Sequence, residues 1–130
     1  MAIAFDAASS SSADLTTSLT FSHTCSGADR LLTVGVAVKQ DVGQTVSGIT
    51  YAGTALTFVG AVNAPNARSE IWRLIAPATG ANNIVVTLSA ATDLAAGGIS
   101  FTDAHQTTPL GTAATATGAV SPATVNVSSA

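Results

Sequence analysis

Eight consecutive residues, Leu31-Leu32-Thr33-Val34-Gly35-Val36-Ala37-Val38, constrain this chain more than any other stretch. A turn-forming cluster, Ser26-Gly27-Ala28-Asp29, precedes them, and Lys39-Gln40-Asp41 ends them abruptly. Side chains alternate across a strand with period two. Leu32, Val34, Val36 and Val38 therefore share one face, and Leu31, Thr33, Gly35 and Ala37 share the other. One face is bulky and β-branched; the other is small. That is the pattern of a central strand whose large face fills a core while its small face meets something close by. The run is far shorter than the roughly 18 apolar residues a membrane-crossing helix needs.

The same period recurs along the chain. Leu15, Thr17, Leu19 and Phe21 alternate with Thr16, Ser18, Thr20 and Ser22, predicting a half-buried strand closed by His23-Thr24-Cys25-Ser26-Gly27. Further strands are predicted over 2–5, 46–51, 55–62, 68–75, 84–89, 94–102 and 124–128. Ala52-Gly53-Thr54 reads as a tight hairpin turn with a glycine suited to positive φ. Ala7–Asp14, a Ser/Ala stretch, reads as a loop, 76–83 as a long turn in which Pro77 ends the preceding strand, and Ala90–Asp93 as another turn. Gly97-Gly98 suggests a bulge or a close backbone approach. The stretch 110–118 fits either strand or extended loop. No sustained 3.6-residue period and no internal repeat is present. About eight to ten short strands at regular spacing predict an all-β antiparallel β-sandwich, jelly-roll-like or immunoglobulin-like. At 130 residues the chain is one domain, 1–130, long enough to bury a core without metal or disulfide.

Composition narrows function by exclusion. Only 8% of residues are charged, and the net charge is −3. Arg30, Lys39, Arg68 and Arg73 are scattered, so no cationic stripe forms for nucleic acid or an anionic membrane. A surface of small, weakly charged side chains loses little on desolvation and suits packing against copies of itself. The single cysteine, Cys25, excludes an internal disulfide and reads as a free thiol. Met1–Asp6 lacks the basic and apolar regions of a secretory signal, so the chain is expected to be made in a cytoplasm without processing.

No constellation carries catalysis. Serines, His23, His105 and seven acids exist, but no Gly-x-Ser-x-Gly elbow accompanies them. His23-Thr24-Cys25 and Asp103-Ala104-His105 lack a second pair at metal-ligand spacing. The turn residues Asp6, Asp29, Asp41, Asp93 and Asp103 suit local backbone amides as readily as calcium. Glu70, the only glutamate, has no carboxylate partner for glycoside hydrolysis. Trp72, Tyr51 and the four phenylalanines are the candidates for a sugar platform, against the simpler reading of Phe5, Phe21, Phe58, Phe101 and Trp72 as core aromatics. Glu70 and Arg73 stand on opposite faces of one strand and read as solvated positions or as an intersubunit ion pair. Glu70, Trp72 and Arg73 are therefore the candidate interface residues. No cofactor is implied.

Four stretches carry a resemblance: Leu19-Thr20-Phe21-Ser22-His23-Thr24-Cys25-Ser26-Gly27-Ala28-Asp29-Arg30-Leu31-Leu32, Ile49-Thr50-Tyr51-Ala52-Gly53, Ile71-Trp72-Arg73-Leu74-Ile75-Ala76-Pro77-Ala78-Thr79-Gly80 and Ile99-Ser100-Phe101-Thr102. With these, the chain resembles a family of β-sandwich domains found in bacteriophage and environmental viral sequences, from Ile3 to about Val127. The resemblance implies a non-enzymatic virion structural protein, a capsid decoration or a tail or fibre component, whose partners are copies of itself and other virion proteins. Relatives continue with further strands beyond Ser129, and their absence here would leave a sheet edge open for pairing. Two other readings remain open. One is a glycan-binding or adhesin module; the other is a subunit of a non-viral extracellular filament assembled by strand donation. These place the protein in the virion or on an extracellular surface.

Overall fold

The computed structural model describes residues 2–118. Seven strands build them: β1 (Ala4–Cys25), β2 (Leu31–Lys39), β3 (Val46–Tyr51), β4 (Thr54–Ala55), β5 (Thr57–Ala64), β6 (Ala67–Ile75) and β7 (Gly80–Thr102). All pairings are antiparallel, in the order β4-β3-β7-β2-β6-β5, with β1 alongside β7. The sequence-derived all-β antiparallel fold is the observed one.

Two strands organise the rest. β1 spans 22 residues and β7 spans 23, and they pair along nearly their whole lengths, from Ala4↔Thr102 to Cys25↔Gly80. On its other side β7 diverges. Residues 94–101 pair with β2 and residues 84–88 pair with β3. The single sheet thus folds over into two halves, β1-β7-β2-β6-β5 and β1-β7-β3-β4, and approaches a barrel. Strands that cross between sheets do so at bends and bulges. Here the register shifts between Ala13 and Ser18 mark the bend of β1, where Leu15 adopts φ +47. The Leu15 amide donates to Asp93 Oδ1 at 2.9 Å, which ties the bend of β1 to that of β7. The opposite corner lies between β4 and β5, where the Leu56 amide donates to Ile49 O at 2.8 Å.

Leu32, Val34, Val36 and Val38 of β2 are all buried, as their alternation predicts. They meet Leu19 and Phe21 of β1, Ile49 and Tyr51 of β3, Leu94 and Ala96 of β7, and Ile84, Val86 and Leu88 further up β7. The fully buried Tyr51 hydroxyl donates to the carbonyls of His23 and Gly80 at 3.2 and 3.0 Å, joining β3 to β1 and β7.

Three local readings change. Ala7–Asp14 is not a loop but part of β1, where Ala7 to Ala13 pair with Ser100 to Leu94. The ladder to β7 supplies what serine's weak strand preference does not. Ala90–Asp93 is not a turn, because β7 continues through it. Thr92 there is buried and donates its hydroxyl to Lys39 O at 2.9 Å. β7 also begins inside the predicted long turn, at Gly80. The strand count consequently falls to seven among the described residues, since β1 and β7 each serve both halves of the sheet.

Other readings stand. Ala52 and Gly53 form the hairpin turn with φ +49 and +78. Gly97-Gly98 is a close approach without a register shift: a Cβ on Gly98 would lie 2.7 Å from Ile84 Cδ1 and 3.5 Å from His23 Nδ1. Residues 110–118 join no strand. The predicted strand 124–128 lies outside the described residues.

Candidate functional site

The larger half-sheet turns its second face outward. Register places Phe5 beside Phe101, Phe101 beside Leu31, and Leu31 beside Ile75. The next outward row is Ala8, Ile99, Thr33 and Arg73, and the row after it is Ser10, Gly97, Gly35 and Ile71. Phe5, Ile71 and Ile99 are exposed at 66%, 52% and 42%. This is the small face of the central strand, and what lies between the exposed apolar residues is mostly glycine, alanine and serine. The face is therefore flat as well as apolar. Contiguous exposed apolar surface on a soluble domain commonly marks a contact site.

Residues 108–116 cross part of this face without joining the sheet. Between them and the sheet lies an open cavity of about 950 Å³, lined by Thr33, Val62, Ile71, Phe101, Leu110 and Ala113 among others. No charged side chain lines it. Ala113 lies over Gly60, where its Cβ would stand at van der Waals distance, 3.6 Å, from a Cβ on residue 60.

The candidate interface residues separate on inspection. β6 turns Ile71 and Arg73 outward and Glu70 and Trp72 inward, as alternation requires. Glu70 is buried and fully engaged within its own chain. Oε1 accepts from Arg68 Nε at 2.6 Å and from the Val46 amide at 3.1 Å, and Oε2 accepts from Trp72 Nε1 at 2.8 Å. Arg68 Nη1 also donates to Asn63 Oδ1 at 2.9 Å. The reading of Glu70 as solvated or as an intersubunit ion-pair partner is corrected. A buried carboxylate needs donors, and Arg68, two residues along the same strand, supplies the compensating charge. Trp72 packs against the core and meets Phe58 edge-on, with ring centroids 5.4 Å apart. Arg73 alone faces outward, in the row with Ile99 and Thr33. Tyr51 is buried, so it forms no sugar platform. Phe5 and Phe58 are exposed, which corrects their reading as core aromatics.

A second polar cluster, missed in the sequence, lies inside the fold. His23 faces inward between Phe21 and Cys25 and is 2% exposed. Its Nδ1 lies 2.7 Å from Ser9 Oγ, and its Nε2 lies 3.0 Å from Ser100 Oγ. Ser100 donates its hydroxyl to Asp6 Oδ2 at 2.7 Å, so its oxygen accepts from His23 Nε2–H. Nδ1 is then the acceptor, and Ser9 donates to it. Asp6 also accepts from the Ser26 amide at 2.9 Å and from the Ser26 hydroxyl.

Electrostatics follow from burial and these bonds. Burial holds the His23 imidazole below its ordinary pKa, and the Asp6 carboxylate only partly offsets this. Desolvation pushes Asp6 upward, yet the hydrogen bonds from Ser26 and Ser100 outweigh it and hold the carboxyl below the usual range. Burial raises the Cys25 thiol. A raised, buried thiol is a poor nucleophile.

The Ser9–His23 pair has the bonding of a nucleophile and its base. Its imidazole, however, is sealed between the half-sheets, only 2% exposed. The pair ties the two arms of β1 to each other and, through Ser100, to β7. His105 takes no part in it. The His105 ring is exposed, and its Nδ1 accepts from the Thr108 amide at 3.0 Å. Among the described residues no three His, Cys, Asp or Glu side chains gather as a metal site would require. The sequence did hold one signal for the cluster: His23 is in phase with Leu19 and Phe21.

Comparison with protein families, with characterised proteins and with solved structures finds no match to this chain. The fold and its geometry therefore define a class, an antiparallel all-β domain folded over into two half-sheets, and the functional reading rests on its surfaces.

Proposed function

We propose that this protein is a non-enzymatic structural protein of a bacteriophage virion, a capsid decoration or a tail or fibre component. It acts through contacts with copies of itself and with other virion proteins. The supporting observation is the outward face of the larger half-sheet, where Phe5, Ile71 and Ile99 stand exposed on a flat floor of glycine and alanine. Hydrogen-bonded polar groups, including Glu70 and His23, lie inside, while apolar groups remain outside. A domain that worked alone would gain by the opposite placement; one that packs into a shell uses this placement directly. The low charge of the surface suits dense packing without strong repulsion.

The test is location. Purified particles, analysed by mass spectrometry and imaged by cryo-electron microscopy, are expected to contain this chain at a stoichiometry that matches a capsid, tail or fibre symmetry. Absence of the chain from particles would overturn the proposal. As a surface test, Ile71→Lys together with Ile99→Lys is expected to leave the fold intact and to abolish incorporation.

A further inference from the structure

We infer that the edge of β1 around Ser11, from Ala8 to Asp14, pairs with the same edge of a second copy of this chain, antiparallel about a two-fold axis at Ser11. The inference deepens the self-assembly reading above by naming the surface through which copies meet.

The argument starts from unpaired backbone. A strand at a sheet edge presents amides and carbonyls that will accept another strand, and proteins normally blunt such edges. Here the remaining edges of the fold are short, engaged or interrupted. β4 has two residues, and β3 beyond it is engaged by the Leu56 and Glu70 bonds. β5 has eight residues, and a register shift between Phe58 and Gly60 interrupts its ladder. β1 has no strand on its second side among the described residues.

Within β1, residues 7–13 form an uninterrupted ladder with β7, bounded by register shifts at Phe5/Ala7 and Ala13/Thr16. The segment contains no proline, lysine or arginine, the residues that usually guard an edge. Ala8, Ser10 and Ser12 point outward and are exposed; Ser9, Ser11 and Ala13 point inward but are only partly covered. The edge continues along residues 18–25, but there the inward residues Leu19, Phe21, His23 and Cys25 are already closed over, and Tyr51 occupies the His23 carbonyl.

Symmetry and charge choose the occupant and the register. In an antiparallel pair, opposed residues point to the same face. A two-fold axis that keeps both cores on one side must therefore pass through a residue opposed to itself. An axis at Ser10 would set Asp6 against Asp14 of the copy, two carboxylates across the pair. An axis at Ser11 instead sets Ser10 against Ser12, Ser9 against Ala13 and Ala8 against Asp14. From Ser9 to Ala13 every opposed pair is then small, and at the ends a methyl of Ala8 meets the single carboxylate of Asp14, so no like charges meet. The pairing also makes the two outward faces continuous, with Ala8 and Ile99 of each copy beside the join.

The experiment uses the full chain. Ser11→Cys is expected to form an intermolecular disulfide under mild oxidation, because opposed Cβ atoms in such a pair approach to about 5 Å. Ser10→Cys and Ser12→Cys are expected to cross-link far less when each is tested alone. The native Cys25 is buried and does not compete. Ser10→Lys with Ser12→Lys places two lysine pairs in opposition and is expected to weaken the dimer by at least about tenfold in sedimentation equilibrium. Its melting temperature at dilution should match that of the wild type, since both side chains are exposed. Thr20→Lys with Ser22→Lys, on the other arm of β1, is expected to leave the dimer unchanged. A wild-type chain that stays monomeric at high concentration would overturn the inference, as would occupation of the edge by another part of the same chain. So would cross-linking strongest at Ser10, or a dimer broken only by the Thr20 and Ser22 substitutions. A dimer that never enters particles would sink the virion reading alone; a monomer found in particles would sink this inference alone.

Discussion

Glu70→Gln should destabilise the fold far more than its near-identical shape suggests. Three groups converge on the Glu70 carboxylate, and all three are donors: Arg68 Nε, the Val46 amide and Trp72 Nε1. A carboxylate accepts through both oxygens. A glutamine side chain accepts through one and donates through the other. Whichever way the amide is turned, its NH₂ faces an N–H. In either arrangement the guanidinium loses its counter-charge. If the NH₂ faces Trp72, one part-buried indole N–H also loses its acceptor. If it faces Arg68 and Val46, two donors lose theirs. The first arrangement is the cheaper one. Losing a charge-assisted bond and stranding a part-buried donor together cost about 2–4 kcal/mol. For a domain of this size that corresponds to a drop in Tm of roughly 10 °C. The assay is urea unfolding followed by far-UV circular dichroism on Glu70→Gln, Trp72→Phe and the double variant. In the double variant the amide no longer meets an N–H, so the two effects should be less than additive by about 1 kcal/mol. A Glu70→Gln effect below about 0.5 kcal/mol, or strict additivity, would refute the account of a carboxylate held by three donors.

Other expectations are simpler. Because burial depresses the His23 pKa below its unfolded value of 6.5, its contribution to stability is fully present above that value and is lost as pH falls through the folded pKa. Chemical-denaturation midpoints should therefore decline below about pH 6.5, and His23→Gln should flatten that slope. Asp6 carries the same sign at lower pH, its contribution being lost only below 3.8. Tyr51→Phe removes the hydroxyl that serves the His23 and Gly80 carbonyls and should cost about 1–2 kcal/mol in urea unfolding. Gly98→Ala drives a methyl to within 2.7 Å of the buried Ile84 Cδ1 and should cost about 1–3 kcal/mol by the same assay, with Ile84→Val partly restoring it.

How much of this was legible in the sequence depended on whether pattern or composition spoke louder. The alternation of Leu32, Val34, Val36 and Val38 named the core strand directly, and each is buried. In β7 the inward positions run in phase from Ile84 through Val86, Leu88, Ala90, Thr92, Leu94, Ala96 and Gly98 to Ser100. The period never breaks, yet small and polar residues between Ser89 and Asp93 have the composition of a turn. They sit where β7 bends between half-sheets, and a bend uses the residue types a turn uses. The serine run of β1 was obscured for a related reason. Its inward residues face glycine and imidazole rather than large apolar groups, so no hydrophobic signal marks the strand. Glu70 was misjudged because a lone carboxylate in a strand reads as solvated unless its donors are known. One of those donors, the Val46 amide, is 24 residues away on another strand.

The placement of polar groups ties these errors together. Glu70, His23 and Ser100 turn inward and find every bond they need inside the molecule; no buried side-chain nitrogen or oxygen among the described residues lacks a partner. Polar side chains spent on the interior leave the outer face of the larger half-sheet to Phe5, Ile71, Ile99 and the small residues between them. An interior so specified holds one register across β1, β7 and β3, because a slip of one residue would turn each of these groups to the wrong side. That fixity matters for assembly. Copies that pack by flat faces and open edges have little shape of their own with which to correct a misfit, so the register must be set before they meet. In the proposed assembly the bonds of Glu70 and His23 would serve the surface at a distance: they hold the strands that carry the outward side chains and the free edge.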